Sequence, residues 1–487
     1  MLNPTVNEFI KRPDCLFING EWVSATSGSQ ISVVAPATEE VRIVVAEANA
    51  ADIDRAVAAA RAAFDTGPWP RMSHKERAGY LLALADRVEG QAEALAHLLP
   101  HESGILKPLA AYQIKPVGEI YRYHAGLADS FAFEERHENP PAGGEYALIV
   151  NEPVGVVGAI LPWNGPYHLA AAKLAPALIA GCTVVLKMAP EAPSSGYLLA
   201  QIAEEIGFPP GVLNVVTAGR EASERLVRHP DVDKITFTGS SATGKRIGAI
   251  CGERVARCTL ELGGKSAGIV LDDFDLDAAA DAIGGQACRL AGQVCSALTR
   301  VIVTKSRHDR LVDALVANFD SVVLGDPFDP ATTMGPLAMA RQRDKVESMV
   351  DRGVREGATL ARGGKRPAHL NRGFFYEPTV LANVDNSAFI AQEEIFGPVI
   401  CVIPAENEEH AVALANDTVF GLNNSVFTND PERALGIARQ LRSGTVGYNS
   451  WRSDNGIGFG GFKQSGIGRE GGENGLRAYL EPKTIIM

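Results

Sequence analysis

From about residue 150 onward, short unbroken apolar runs alternate with longer stretches in which apolar positions recur every three or four residues. The first pattern is that of strands buried on both faces and the second that of helices packed on a core. The spacing predicts a helix over 169–180 ended by Gly181, then a strand over 183–187. It predicts a helix over 197–206 stopped by Gly207, a strand over 212–216, a helix over 221–227 and a strand over 235–238. A helix over 242–250 and a strand over 259–262 complete the series. Strands separated by single helices run parallel and are covered on both sides, which is the doubly wound α/β arrangement. Ligands in such sheets lie at the carboxyl ends of the strands, where Lys187 and the loop at Gly239 fall. Past residue 262 the alternation restarts, with strands over 268–271 and 300–304 and helices over 276–290 and 308–319. A second α/β domain follows from it. The polar, Pro/Gly-rich segment 134–145 reads as a linker or a protruding hairpin.

Composition narrows the function. A chain of 487 residues exceeds one core, so two or three domains are expected. The net charge of -12, with scattered Lys and Arg, excludes a nucleic-acid or anionic-membrane surface. Residues 1–10 lack the basic start and apolar core of a signal peptide, and the apolar stretch 169–186 is interrupted too often to span a membrane. Seven dispersed cysteines without a CxxC fit reduced thiols in the cytoplasm. Ten histidines without ligand spacing predict no metal.

Four segments carry candidate chemistry. Gly292-Gln293-Val294-Cys295-Ser296 lies at a helix-to-strand junction, which exposes its cysteine to a cleft. A thiol there becomes a nucleophile beside a base or a cation, and its own N–H can serve an oxyanion. An arbitrary cysteine is more often simply buried. Glu261 puts a carboxylate at an apolar strand end, either as a general base with a raised pKa or paired to Lys265. The stretch 237–245 joins a strand to a helix whose amides suit a pyrophosphate, although it is neither GxGxxG nor a Walker A loop. A plain N-cap at Ser240 or Ser241 is the alternative. Asn164, in a Pro-flanked turn after Trp163, is an oxyanion donor or only a turn former.

Taken together, LPWNGP (161–166), TVVLK (183–187), FTGSSATG (237–244), LELGGKS (260–266), GQVC (292–295), EEIFGP (393–398) and FGGFKQSGIGRE (459–470) resemble the aldehyde dehydrogenase superfamily. The resemblance runs from about residue 15 to the end. It implies two Rossmann-like parallel-sheet domains, a dinucleotide-binding one over 1–128 and 147–262 and a catalytic one over 263–469. A small β oligomerisation element would occupy 129–146 and 470–487, giving a homodimer or homotetramer. It also implies that Cys295 attacks the aldehyde, with Asn164 and the Cys295 N–H holding the oxyanion. Glu261 would activate the water that hydrolyses the thioester, with Lys173 and Glu470 as a proton path. Lys187 and Glu394 would hold the adenosine and nicotinamide riboses respectively, Gly239 and Ser240 would lie at the pyrophosphate, Phe396 would contact the nicotinamide end, and Gly244, Trp163, Leu262 and Pro190 would be further cofactor contacts. His168, Leu169, Val294, Ser296, Trp451 and Phe459 would wall the substrate pocket.

Departures from the family pattern matter. Pro190 stands where many members carry an acidic residue against the adenine ribose, with Glu191 beside it, so NAD is implied and NADP stays open. Gly165 and Ala172 stand where relatives often carry aromatic rings, which implies a wider tunnel for bulky aromatic or branched aldehydes. Arg452 is either a greeter of anionic substrates or a solvated arginine. Ala291, where Asn is common, is expected to matter little. An acylating relative using coenzyme A would dispense with Glu261, and a non-catalytic one would lose Cys295, Glu261 or Asn164; all three are present.

Overall fold

The computed structural model describes residues 6–141, 143–454 and 456–487. Its largest sheet has eight strands, in the order Gly466–Ile467, Arg257–Glu261, Lys234–Thr238, Val156–Ile160, Thr183–Met188, Leu213–Thr217, Cys15–Ile18 and Glu21–Ser24. The five strands from Arg257–Glu261 to Leu213–Thr217 are parallel, and the strands on either side of them run antiparallel. Every residue of Val156–Ile160, Thr183–Met188 and Lys234–Thr238 is buried, as in parallel strands covered on both faces. Strand order reverses between Val156–Ile160 and Lys234–Thr238. A ligand crevice opens at such a switch point.

The seven-stranded second sheet runs Thr359–Arg362, Thr379–Ala382, Val399–Ala405, Arg300–Thr304, Ala267–Val270, Asn423–Phe427 and Thr445–Tyr448. It is parallel apart from Thr359–Arg362. Each of the expected helices and strands from 169 to 319 is present, with ends that differ by a few residues. The exception with consequences is the helix expected over 276–290. It stops at Cys288, because Leu290 (φ 50°), Ala291 (φ 49°) and Gly292 (φ 72°) turn left-handed in succession. Three such residues cannot continue a right-handed helix, and they deliver the chain to Cys295.

The segment 134–145 contributes the strand Glu134–Glu138, which pairs with Tyr146–Pro153; this strand in turn pairs with Leu480–Ile486. Residues 147–153, placed by the sequence in the dinucleotide-binding domain, therefore lie in this three-stranded sheet, where their register with 480–486 fixes them. Gly466–Ile467, placed in the catalytic domain, crosses back to pair with Leu260 and Glu261. Among the described residues no helix is long and apolar enough to cross a membrane.

Candidate active site

The carboxyl ends of the parallel strands gather the residues singled out by sequence. Ile160 leads into the turn that holds Asn164, Lys187 nears the end of its strand, Thr238 leads to Gly239, and Glu261 is a last residue. The Asn164 side-chain amide donates to the Gln293 carbonyl at 3.0 Å, which pins this turn to the cysteine loop of the other sheet. An amide nitrogen carries two hydrogens, so one remains for an incoming oxyanion. Gln293 is itself locked. Its Nε2 donates to the Leu290 carbonyl at 2.8 Å, and its Oε1 accepts from the Ala338 N–H at 3.0 Å.

Cys295 is half-buried, and the N–H groups of Ser296 and of Cys295 itself point at its sulfur. Burial and the nearby charges of Glu394 and Glu261 outweigh these donors and push the thiol up to about 12. Behind it, a Cβ on Gly264 would stand 2.4 Å from the Cys295 carbonyl oxygen, so only glycine lets the two loops meet. Glu261 is 3 % exposed, and neither carboxylate oxygen has a hydrogen-bond partner among the described residues. It is not paired to Lys265, whose ammonium is likewise buried without a partner. Burial, then the charge of Glu470, raises the Glu261 pKa well above the carboxylate range. Gly460, at φ 152°, passes so close that a Cβ there would lie 2.6 Å from Glu261 Oε1. Lys173, wholly buried on the helix Pro166–Ala180, makes an ion pair with Glu470 and donates to Thr238 Oγ1 at 2.7 Å. A backbone bridge joins Glu470 to Phe459.

The residues expected to hold a dinucleotide lie beside these groups. Ser240 caps the helix Ser241–Arg254, accepting from the Thr243 N–H and leaving exposed N-terminal amides at the sheet's switch point. Gly244 lies so near Leu262 that a Cβ would meet it at 2.3 Å, which seats the helix close on the strand end. Among the described residues no carboxylate pairs with the buried Lys187; burial lowers its pKa to about 8, against the opposing charge of Glu191. Glu191, next to Pro190, is ion-paired to Arg341. Glu394 Oε1 accepts from the Gly264 N–H at 3.2 Å, and burial raises its pKa to about 7. Phe396, left-handed at φ 59°, meets Trp163 edge-to-face at 5.5 Å. Gln342 holds that turn by donating to the Phe396 carbonyl at 2.8 Å.

The helix Pro166–Ala180 is buried along its length except at His168, Leu169 and Ala172, and Gly165 precedes them. Positions 165, 168, 169 and 172 share one face at helical spacing. That face continues Asn164, and Leu169 and Val294 both pack on the core of the first sheet while Trp451 packs on that of the second. Trp451 Nε1 donates to Ser296 Oγ at 3.1 Å. A Cβ at Gly165 would touch nothing nearer than Leu169 at 3.8 Å, so there is room where a side chain is missing. Arg452 is exposed. Sequence reasoning did not single out Gln293, Gln342 or Gly460; of these, Gln293 and Gly460 stood inside quoted motifs.

A thiol, an unpartnered carboxylate and an amide donor at a dinucleotide-type crevice define an oxidoreductase that works through a covalent sulfur adduct. The model of the aldehyde dehydrogenase family matches residues 22–485. A geranial dehydrogenase of Castellaniella defragrans is 41% identical over 480 residues, covering 97% of this chain and 98% of that protein. Betaine aldehyde dehydrogenase 1 of Oryza sativa subsp. japonica is 43% identical, over 96% of this chain and 94% of its own. The crystal structure of a Mycobacterium tuberculosis aldehyde dehydrogenase complexed with NAD+ superposes with a TM-score of 0.95 at 44% identity, covering 97% of this chain and 98% of that one. The chain belongs to the aldehyde dehydrogenase family, enzymes that oxidise an aldehyde to the acid through a cysteine nucleophile.

Proposed function

We propose that Cys295 is the nucleophile and Glu261 the base of an NAD-dependent oxidation of bulky, branched or aromatic aldehydes. The observation that carries this reading is the Glu261 carboxylate, desolvated, without a hydrogen-bond partner among the described residues, and close enough to Cys295 for its charge to help raise the thiol's pKa. Burial holds the thiol protonated at neutral pH, so its proton passes to solvent water as sulfur adds to the carbonyl carbon and the carbonyl π pair moves onto oxygen. The adduct's oxyanion is received by the second hydrogen of the Asn164 amide and by the Cys295 N–H, a pair of donors worth a few kcal/mol in such sites. When bound, the dinucleotide accepts the hydride that leaves the adduct. Glu261 then takes a proton from water as the oxygen attacks the thioester, and Glu470 with Lys173 carries that proton away.

Lys187 and Glu394 would hold the riboses, with the pyrophosphate over Gly239, Ser240 and Gly244. The Glu191 carboxylate beside Lys187 supports NAD, because it repels a 2'-phosphate. The bare face at Gly165 and Ala172 supports bulky substrates, in keeping with a relative named for geranial. The eight-stranded sheet serves the cofactor and the seven-stranded one the nucleophile. The small sheet serves a homodimer or homotetramer, and the unpaired cysteines suit the cytoplasm.

Two variants test the chemistry. Cys295→Ala is expected to abolish turnover while leaving NAD binding intact, and Glu261→Gln to give one rapid equivalent of NADH per site followed by a stalled acyl-enzyme. Steady turnover by Cys295→Ala would overturn the assignment.

A further inference from the structure

Arg289 follows the helix Leu276–Cys288 and lies six places before Cys295. Its guanidinium sits over the Trp451 ring, 5.9 Å from the centroid. The same ring is tied by its nitrogen to Ser296, the neighbour of Cys295. From the opposite wall, His168 feels the Arg289 charge, which helps lower its pKa after the larger effect of burial. Arg289 thus stands between the two walls of the substrate funnel.

Its lack of partners sets it apart. Other half-buried arginines of the chain are satisfied: Arg61 by Asp233, Arg433 by Glu408, Arg307 by the Leu271 and Phe274 carbonyls. Among the described residues Arg289 makes no ion pair and no side-chain hydrogen bond, although it is only partly exposed. A guanidinium that has given up part of its hydration, with its five donors uncommitted, is a ready receptor for a carboxylate. Its seat on an indole also leaves that ring face unavailable to a substrate cation.

We propose that Arg289 receives an anionic group at the far end of the aldehyde, so that the preferred substrates are bulky aldehydes carrying a remote carboxylate. This rests on the reading of the Gly165–Ala172 face as a wide substrate funnel. The carboxylate contact is made equally in the ground state and the transition state, so it appears mainly in KM.

The test measures kcat and KM for 4-carboxybenzaldehyde, benzaldehyde, betaine aldehyde and acetaldehyde. The wild-type protein is compared with Arg289→Met, which keeps length but not charge, and with Arg289→Lys. For the wild type, 4-carboxybenzaldehyde is expected to exceed benzaldehyde in kcat/KM, with betaine aldehyde poorer than either. Arg289→Met should lose roughly 10- to 100-fold for the carboxylated substrate, the scale of a hydrogen bond to a charged group. It should stay within about twofold for benzaldehyde, and Arg289→Lys should restore part of the loss. Added salt should raise the wild-type KM for the carboxylate and leave that for benzaldehyde unmoved. An equal fall for both aromatic aldehydes in Arg289→Met, or no fall for either, would overturn the role of Arg289 while the wide funnel stands. Brisk acetaldehyde oxidation with neither aromatic aldehyde turned over would overturn the funnel itself and the proposal with it.

Discussion

At the scale of single residues, the site depends on groups kept in unusual protonation states by their surroundings. As the proposed base, Glu261 must be ionised, and burial beside Glu470 moves its titration upward. Hydrolysis of the thioester should therefore strengthen as pH rises through a midpoint well above the ordinary carboxylate value. Single-turnover deacylation rates against pH check this, and a profile already flat from pH 5 would contradict it. Cofactor choice rests on another single group. Glu191, proposed to repel a 2'-phosphate, is ion-paired to Arg341. Glu191→Ala should free that guanidinium and raise kcat/KM with NADP about tenfold, in line with one charge-assisted contact, with a smaller loss for NAD. Comparing the two cofactors in steady state decides it. The sequence exposed Cys295, Glu261 and Asn164 because each sat in a long motif. It could not expose Arg289 or Gln342, because a charged or amide residue near a helix end has no pattern of its own, and only the fold brings Arg289 to Trp451.

Elements were legible where their environment was uniform. Strands such as Thr183–Met188, buried on both sides, announced themselves as apolar runs, and the helices between them by their spacing. Ends were set by local backbone geometry that composition does not encode. The helix through Cys288 stops at a left-handed turn whose first two residues are Leu and Ala, types that give no stop signal. The same physics appears at the end of Ser241–Arg254, where Val255 adopts φ 57° and ψ 28° as the cap. A β-branched residue is strained there, and it is 78% exposed, so it contributes little packing in return. Val255→Gly is expected to stabilise the fold by about 1 kcal/mol, the usual left-handed penalty removed. Chemical denaturation midpoints at a distance from any change in activity would register it.

For the whole molecule, the alternation after residue 150 disclosed both sheets, whereas the first 150 residues gave little sign of their helices and flanking strands. The small sheet was visible only as an oddity of composition around 134–145, since its partners lie at the far end of the chain. In a single chain it stands largely uncovered, with Ile485, Ile486 and Met487 at 36%, 53% and 59% exposure. A three-stranded sheet with apolar residues facing water calls for a covering surface. Ile486→Asp should shift the protein to smaller species in sedimentation velocity, with little change in the protomer's own fold; an unchanged sedimentation coefficient would place assembly elsewhere.

The return of residues 465–467 to the first sheet has a mechanical side. Ser465 donates through its hydroxyl to the Gly263 carbonyl at 2.7 Å and accepts the Leu262 N–H on its carbonyl at 2.9 Å, while Gly421 of the second half donates to its hydroxyl at 2.9 Å. The two halves are stitched together directly behind the base. Gaping apart like jaws would tear those stitches, each worth about 1 kcal/mol, so the seam at this point resists a hinge.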